Sequence, residues 1–355
     1  MKANTMVKRE GNLWEKIISM DNLIEAYKKA KRGKGSQKGV LNFEKDIPGN
    51  LQKVQDLLVS GEYRTSAYRQ FVVNDSGKER TISSLPFFPD RIVHWAVMLP
   101  THHIFMRNLI SQTYAALPGR GTHLALRTLK GYLRDPKAKY CLKLDVRKFF
   151  NNIDKNILMR KLTERIKDVR TLDLFAEIIY GYPSDGIPIG NYTSQYLANF
   201  YLSEIDHHFK ESFHCRFYLR YMDDIVILGW SKPWLRRALK RITKMLGDIN
   251  LEVKDNWQIF PVADRGVDFV GYRCFQDYTL LRKRIKVRMK RTMSDLDRKL
   301  RDGPPDDHDI GSWASYSGVV KWCDSFRLAK ETVYKVGKAI ASYASHNLKK
   351  LSPAC

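Results

Sequence analysis

Two apolar runs in this chain carry aspartates at places where a buried strand has no room for charge. Lys139-Tyr140-Cys141-Leu142-Lys143-Leu144-Asp145-Val146 reads as a strand that delivers Asp145 at its end. Phe217-Tyr218-Leu219-Arg220, Tyr221-Met222-Asp223-Asp224 and Ile225-Val226-Ile227-Leu228 read as two strands around an acidic turn. Adjacent carboxylates repel, and taking one out of water is costly unless a cation or hydrogen-bond donors compensate. A divalent ion compensates. Mg²⁺ takes oxygen ligands, usually one or two carboxylates plus water and phosphate. Two ions roughly 3.5–4 Å apart stabilise both oxygens of an in-line displacement at phosphorus.

The rest of the chain has the opposite charge. Across 355 residues, 62 Lys+Arg against 38 Asp+Glu leave a formal charge of +24. A surface this basic points to an extended polyanion, above all nucleic acid. With 43% apolar and 12% aromatic residues the chain buries a core, which excludes a disordered basic tail. Its length predicts two or three domains. No apolar run reaches the ~20 residues that span a bilayer, and the start, Met1 to Met6, has no signal-peptide stretch. We therefore expect a cytoplasmic protein without a membrane partner. Cys141, Cys215, Cys274, Cys323 and Cys355 are scattered, and His102-His103 and His207-His208 point apart on helices, so no structural zinc is expected.

Strands interleaved with helices predict an α+β sheet domain. Trp14, Ile17, Ile18, Leu23 and Tyr27 give an apolar helix face ahead of the basic run Lys28 to Lys34, either a solvated loop or a phosphate-contacting arm. Phe71-Val72-Val73, Asn74 to Gly77 and Lys78 to Ile82 read as strand, turn and strand, with Lys78 and Arg80 on one face, as edge protection or as a triphosphate clamp. A helix is expected from His123, another after Asp154 as N-cap, and a third from about Thr193. In the C-terminal part, Ile285, Met289, Met293, Leu296 and Leu300 recur at helical spacing among Arg282, Arg284, Arg288, Arg291 and several lysines. Gly303-Pro304-Pro305 ends that helix, and Trp313–Ala329 and Thr332–Leu348 predict two more, making a separate helical domain. We expect Trp313, Tyr316, Trp322 and Phe326 to pack in its core, Asp154 and Asp185 to cap and turn, and Glu204 and Asp206 to sit on a solvated helix face.

Taken in order, these motifs resemble the reverse transcriptase family over most of the chain. Tyr221-Met222-Asp223-Asp224 matches the family's signature turn, and Leu144-Asp145-Val146 through Phe149-Phe150 its first metal-binding motif. The resemblance implies a right-hand polymerase: N-terminal extension and fingers over 1–105, palm over 106–152, fingers again over 153–190, palm with a primer-gripping hairpin over 191–281, and a helical thumb over 282–355. It implies that Asp145, Asp223, Asp224 and the Val146 carbonyl hold two Mg²⁺, with Mn²⁺ a possible substitute, and that Lys254 assists pyrophosphate departure. Lys78 and Arg80 fall at the fingertip hairpin over the incoming nucleotide, and Phe150 where an aromatic excludes the ribose 2′-hydroxyl. Arg120-Gly121-Thr122-His123 resembles the loop between fingers and palm, and Gly271-Tyr272 the primer grip. Tyr221, Met222, Arg282, Arg284, Arg288 and Arg291 are expected to contact nucleic acid, the last four with steeply salt-dependent binding.

One segment narrows the resemblance. Many relatives have Gln-Gly and then Ser-Pro before the palm helix, whereas this chain has Ile187-Pro188-Ile189-Gly190-Asn191-Tyr192-Thr193-Ser194-Gln195. Isoleucine stands for the glutamine and Gln195 for the proline. The pattern resembles reverse transcriptases of diversity-generating retroelements. It implies a template-repeat RNA, a primer, dNTPs, cDNA with errors at template adenines, and a small basic accessory protein. Glutamine offers directional hydrogen bonds and isoleucine only dispersion, so Ile189, with Gly190 and Gln195 beside the nucleotide, is expected to relax fidelity unless it is plain core packing. A reverse transcriptase of another bacterial kind, and a non-catalytic polymerase-like RNA-binding protein, remain as alternatives.

Overall fold

In the computed structural model, residues 9–75 and 77–351 are described, and the chain divides into two compact units. The first takes the chain up to Gly119, Lys143–Val226 and Arg237–Trp257; the second takes Arg120–Leu142, Ile227–Arg236 and the chain from Gln258. Among the described residues, nine strands form three sheets: β1 (Arg69–Asp75) with β2 (Lys78–Ser84); β3 (Tyr140–Asp145), β4 (Tyr218–Tyr221), β5 (Asp224–Gly229) and β6 (Gln258–Pro261) in the order β4-β5-β3-β6; and β7 (Val267–Phe269), β8 (Tyr272–Cys274) and β9 (Thr279–Leu281) in sequence order. Most of the remaining described residues with regular structure are helical, so the class is α+β as expected. Among the described residues no helix is long and apolar enough to cross a membrane.

The first unit is built around the Ile92–Arg107 helix, buried on nearly every side through Ile92, Val93, Ala96, Val97, Ile104 and Phe105. Against it packs Met20–Lys31, whose Leu23, Ala26, Tyr27 and Ala30 recur every three or four residues and whose Ser19 hydroxyl caps the first turn. The β1–β2 ribbon is antiparallel with Asp75 opposite Lys78, as the Asn-Asp-Ser-Gly turn predicts. Asp154 is the expected N-cap, accepting from the amides of Asn156 and Ile157.

In the second unit the Lys283–Asp302 helix buries Met289, Met293, Leu296 and Leu300, the face read from the sequence. The next element departs from expectation. A helix runs over Asp307–Val320, opened by an Asp306–Asp309 capping box, and the chain leaves helical geometry before Phe326–Ala329. The cause is tertiary: Asp324 gives its amide to the Thr279 carbonyl and takes the Thr279 amide on its carboxylate, tying the chain to the start of β9 where a helix would continue. Phe326 consequently lies 71% exposed, not in the core, and Trp322 stacks on His123 at 4.4 Å.

Candidate active site

The site-bearing turn is the two-residue link between β4 and β5. Met222 has φ of 58°, a left-handed backbone that costs a side-chain-bearing residue about 1 kcal/mol or more. Arg220 holds it there. Its fully buried guanidinium donates to the Met222 carbonyl at 3.0 Å, to the Asn199 side chain at 3.0 Å and carbonyl at 3.1 Å, and forks onto both Asp206 oxygens. Asp206 also accepts from Tyr218 at 2.6 Å and Thr113 at 3.1 Å. A helix-face carboxylate expected in solvent is thus the buried anchor of the acidic turn. The visible signal is Arg220 in an otherwise apolar strand, since a buried guanidinium demands an anion.

Beside this turn, β3 ends at Asp145. The Val146 amide donates to the Asp223 carbonyl at 3.2 Å, and the Lys254 amide to the Asp145 carbonyl at 2.8 Å. The backbone therefore ties Asp145, Val146, Asp223 and Lys254 into one corner of the first unit. Asp224 accepts from Lys143 through Oδ2 at 3.0 Å, while its Oδ1 is buried with no hydrogen-bond partner. Burial pushes the Asp224 carboxyl up to about 6, the Asp145 and Asp223 charges add to the rise, and Lys143 opposes it. Lys143, a strand lysine absent from the expected site, is a member of it.

These observations fit a hard divalent cation: neighbouring carboxylates, one oxygen of which is buried and unpartnered, with their mutual repulsion only partly relieved. The three carboxylates are not collapsed together. Among the described residues, the group of acidic and histidine side chains with ligand atoms within 4.8 Å of one another is Asp306, His308 and Asp309. There, however, Asp306 and Asp309 form the capping box and both pair with Lys299.

The nucleotide-side candidates lie in the same unit. Phe150 follows Phe149, ring centroids 5.5 Å apart, and its carbonyl accepts from the Ile187 amide at 2.9 Å. The Ile189 carbonyl accepts from the Ser83 amide of β2 at 2.9 Å, which joins the Ile-Gly-Asn segment to the base of the β1–β2 ribbon. Gly190 is required there: with φ of 127°, an added Cβ would meet the Ser83 carbonyl oxygen at 2.6 Å. Ile189 is only partly buried and Gln195 is exposed. Arg80 is exposed on β2, and the Lys78 side chain lies outside the described residues. Tyr221 and Met222 flank the acidic turn, both half-buried.

The remaining candidates belong to the second unit. Val270 and Gly271 turn between β7 and β8 with φ of 44° and 93°, and the Arg282 amide donates to the Gly271 carbonyl. The Tyr272 hydroxyl donates to the Val319 carbonyl at 3.1 Å. Arg282 is ion-paired with Asp268, so its charge is partly committed within the protein. Arg284, Arg288 and Arg291 lie on the exposed side of their helix, and Arg120 begins the loop into Thr122–Leu133.

Comparison with known proteins agrees. Residues 72–274, more than half of the chain, match the family described as reverse transcriptase (RNA-dependent DNA polymerase). Protein YkfC of Escherichia coli K12 is 24% identical over 292 residues, 69% of this chain and 75% of YkfC. The group II intron-encoded protein LtrA of Lactococcus lactis subsp. cremoris is 26% identical over 207 residues, 55% of this chain and 34% of LtrA, so the match spans about a third of that relative. Among solved structures, apo telomerase from Candida tropicalis aligns over 85% of this chain and 63% of its own, at 10% identity and a TM-score of 0.49. Telomerase from Candida albicans aligns over 68% and 52%, at 12% identity and a TM-score of 0.47. The α+β arrangement is the right-hand polymerase fold. The chain belongs to the reverse transcriptase family.

Proposed function

We propose that this chain copies a template-repeat RNA into adenine-mutagenised cDNA for a diversity-generating retroelement. The observation that carries DNA synthesis is the corner where Asp145 adjoins the Asp223–Asp224 turn, with Asp224 Oδ1 buried and unpartnered. The Ile187–Gln195 segment, seated through Ile189 on the base of the ribbon, favours the retroelement reading over other bacterial reverse transcriptases. In this assignment fingers comprise 1–105 and 153–190, palm 106–152 and 191–281, and thumb 282–355.

Asp145, Asp223, Asp224 and the Val146 carbonyl would hold two Mg²⁺, with Mn²⁺ able to replace them. Bound there, the ions supply activation of a primer 3′-hydroxyl for attack on the α-phosphorus and charge stabilisation on the departing pyrophosphate. The protein's own residues do the rest. Arg220 fixes the turn, and Lys143 offsets part of the carboxylate charge before a substrate arrives. Lys254, whose amide donates to the Asp145 carbonyl, would give a proton to the leaving group. Lys78 and Arg80 bind triphosphate, Phe150 blocks a 2′-hydroxyl, and Ile189 meets the nascent pair without directional hydrogen bonds. Arg120, Gly271, Tyr272 and the Arg282–Arg291 face hold template, primer and product. A small basic accessory protein is the expected partner, in a bacterial cytoplasm.

The test is primer extension on RNA with the purified protein, followed by product sequencing. Wild type should extend with errors concentrated at template adenines, and Asp223→Ala/Asp224→Ala should bind RNA without extending. Extension with uniformly distributed errors would move the assignment to another bacterial class. Binding without extension by the wild type, with the accessory partner supplied, would leave only a polymerase-like RNA-binding protein.

A further inference from the structure

Along the Thr122–Leu133 helix of the second unit and its C-cap Arg134, His123, Arg127, Lys130 and Arg134 follow one another at spacings of four, three and four, so they share one face. No carboxylate pairs with Arg127, Lys130 or Arg134 among the described residues, in a protein where many surface cations are paired. Aromatic rings lie among these cations. Trp322 is stacked on His123 at 4.4 Å and 11°, and the Arg127 guanidinium sits 5.7 Å from its ring centre. Next to them Lys130 and Arg134 form one wall of a notch of about 490 Å³, within the roughly 300–1,000 Å³ of small-ligand sites. Its other walls are the Phe275–Tyr278 turn and Asp324. Phe275 and Tyr278 stack at 4.5 Å and 17°, and Tyr278 is 44% exposed, leaving ring surface open.

We propose that this notch binds a nucleotide of single-stranded RNA outside the polymerase centre. The cationic wall suits a phosphodiester, and the exposed Tyr278 ring suits a base, a contact worth about 1–3 kcal/mol by alanine substitution. The carboxylates decide between ligand classes. Asp277 has no hydrogen-bond partner among the described residues, and Asp324 uses one oxygen on the Thr279 amide at 2.8 Å and keeps further lone pairs. Two carboxylates repel either polyanion alike, but they accept from the exocyclic amino group of adenine, cytosine or guanine, a donor that an acidic side chain does not offer. Cations, an open ring and amine acceptors in one notch match phosphate, base face and base edge together. The inference stands on these residues alone and does not depend on the DNA-synthesis reading.

The test uses the full chain, first saturated with an RNA–DNA primer-template duplex. A fluorescent single-stranded RNA octamer containing 4-thiouridine is then bound and photocrosslinked. The expected result is a crosslink in the peptide carrying Tyr278, with affinity reduced at least tenfold in Lys130→Glu/Arg134→Glu and about threefold or more in Tyr278→Ala. Both variants should keep the wild-type melting temperature and primer extension. A crosslink elsewhere, or unchanged affinity in the double variant, would overturn the site. Equal binding of an abasic octamer, or equal competition by polyglutamate, would overturn the nucleotide assignment. Failure of the wild type to extend a primer bears on DNA synthesis and leaves these outcomes intact.

Discussion

Asp224 is where the sequence's electrostatic problem becomes measurable. Its folded carboxyl is raised to about 6, so below that pH the proton is mostly retained and only well above it is the site fully charged. Raising the pH from about 4 through 6 therefore withdraws stability, because the unfolded chain gives up the proton more readily. In the proposed site, a divalent cation bound to Asp224 would have to displace that proton. Mg²⁺ titrated calorimetrically at pH 5.5, in two buffers of different ionisation enthalpy, should release close to half a proton or more; at pH 8 it should release almost none, and Asp224→Asn should abolish the difference. The same scale holds the fidelity question. Ile189 is only partly buried, and its carbonyl accepts from the Ser83 amide at the base of the ribbon. Ile189→Gln should lower misincorporation opposite template adenine several-fold; sequenced cDNA with an unchanged error spectrum would refute that role. Asp145, Asp223 and Asp224 were legible because charge inside apolar strands is conspicuous. Lys143 and Asp206 were not: nothing in a linear pattern says that a lysine mid-strand faces a carboxylate, or that a helix-face aspartate turns inward.

At the scale of elements, the β4–β5 turn depends on a helix residue 14 positions upstream of Arg220. Asp206 neutralises the fully buried Arg220, and Arg220 in turn holds the left-handed Met222. Removing one partner of such a pair leaves an uncompensated buried charge, at a cost of about 3–5 kcal/mol. Asp206→Ala should therefore lower the melting temperature sharply, and extension should be lost with it. Arg220→Met/Asp206→Leu should recover much of the stability but not the activity, since Met222 loses its anchor; recovery of both would show that the turn needs no such support. Element identity itself read well. The ribbon, the strand ending at Asp145, the strands around the acidic turn and the basic amphipathic helix all follow local turn chemistry and periodicity. The helix expected over Trp313–Ala329 failed because pairing of Asp324 with Thr279 outweighs local helical preference.

Across the whole molecule, the first unit is organised on an almost wholly buried helix that carries a histidine. His94 is fully buried, touches the Thr193 hydroxyl at 3.4 Å and keeps Nε2 unpartnered, and burial lowers its pKa to about 3. The unfolded chain binds a proton below about 6.5 that the folded chain refuses. Stability from this group is complete above pH 6.5 and declines on acidification by up to about 1.4 kcal/mol per pH unit. Denaturant titrations from pH 7.5 to 4.5 should show that slope, and His94→Gln should flatten it; an identical slope in the variant would assign acid lability to other groups. The sequence by itself determined the charge contrast, the α+β class, the family and the acidic residues, because periodicity, turn chemistry and unburiable charge are local properties. Only the tertiary structure decided that Arg220 and Asp206 support the turn, that Asp224 keeps an unsatisfied oxygen, and that cations and rings share a notch behind Tyr278. Those depend on how separate elements pack against one another, and their energy exists only once the backbone has brought the elements together.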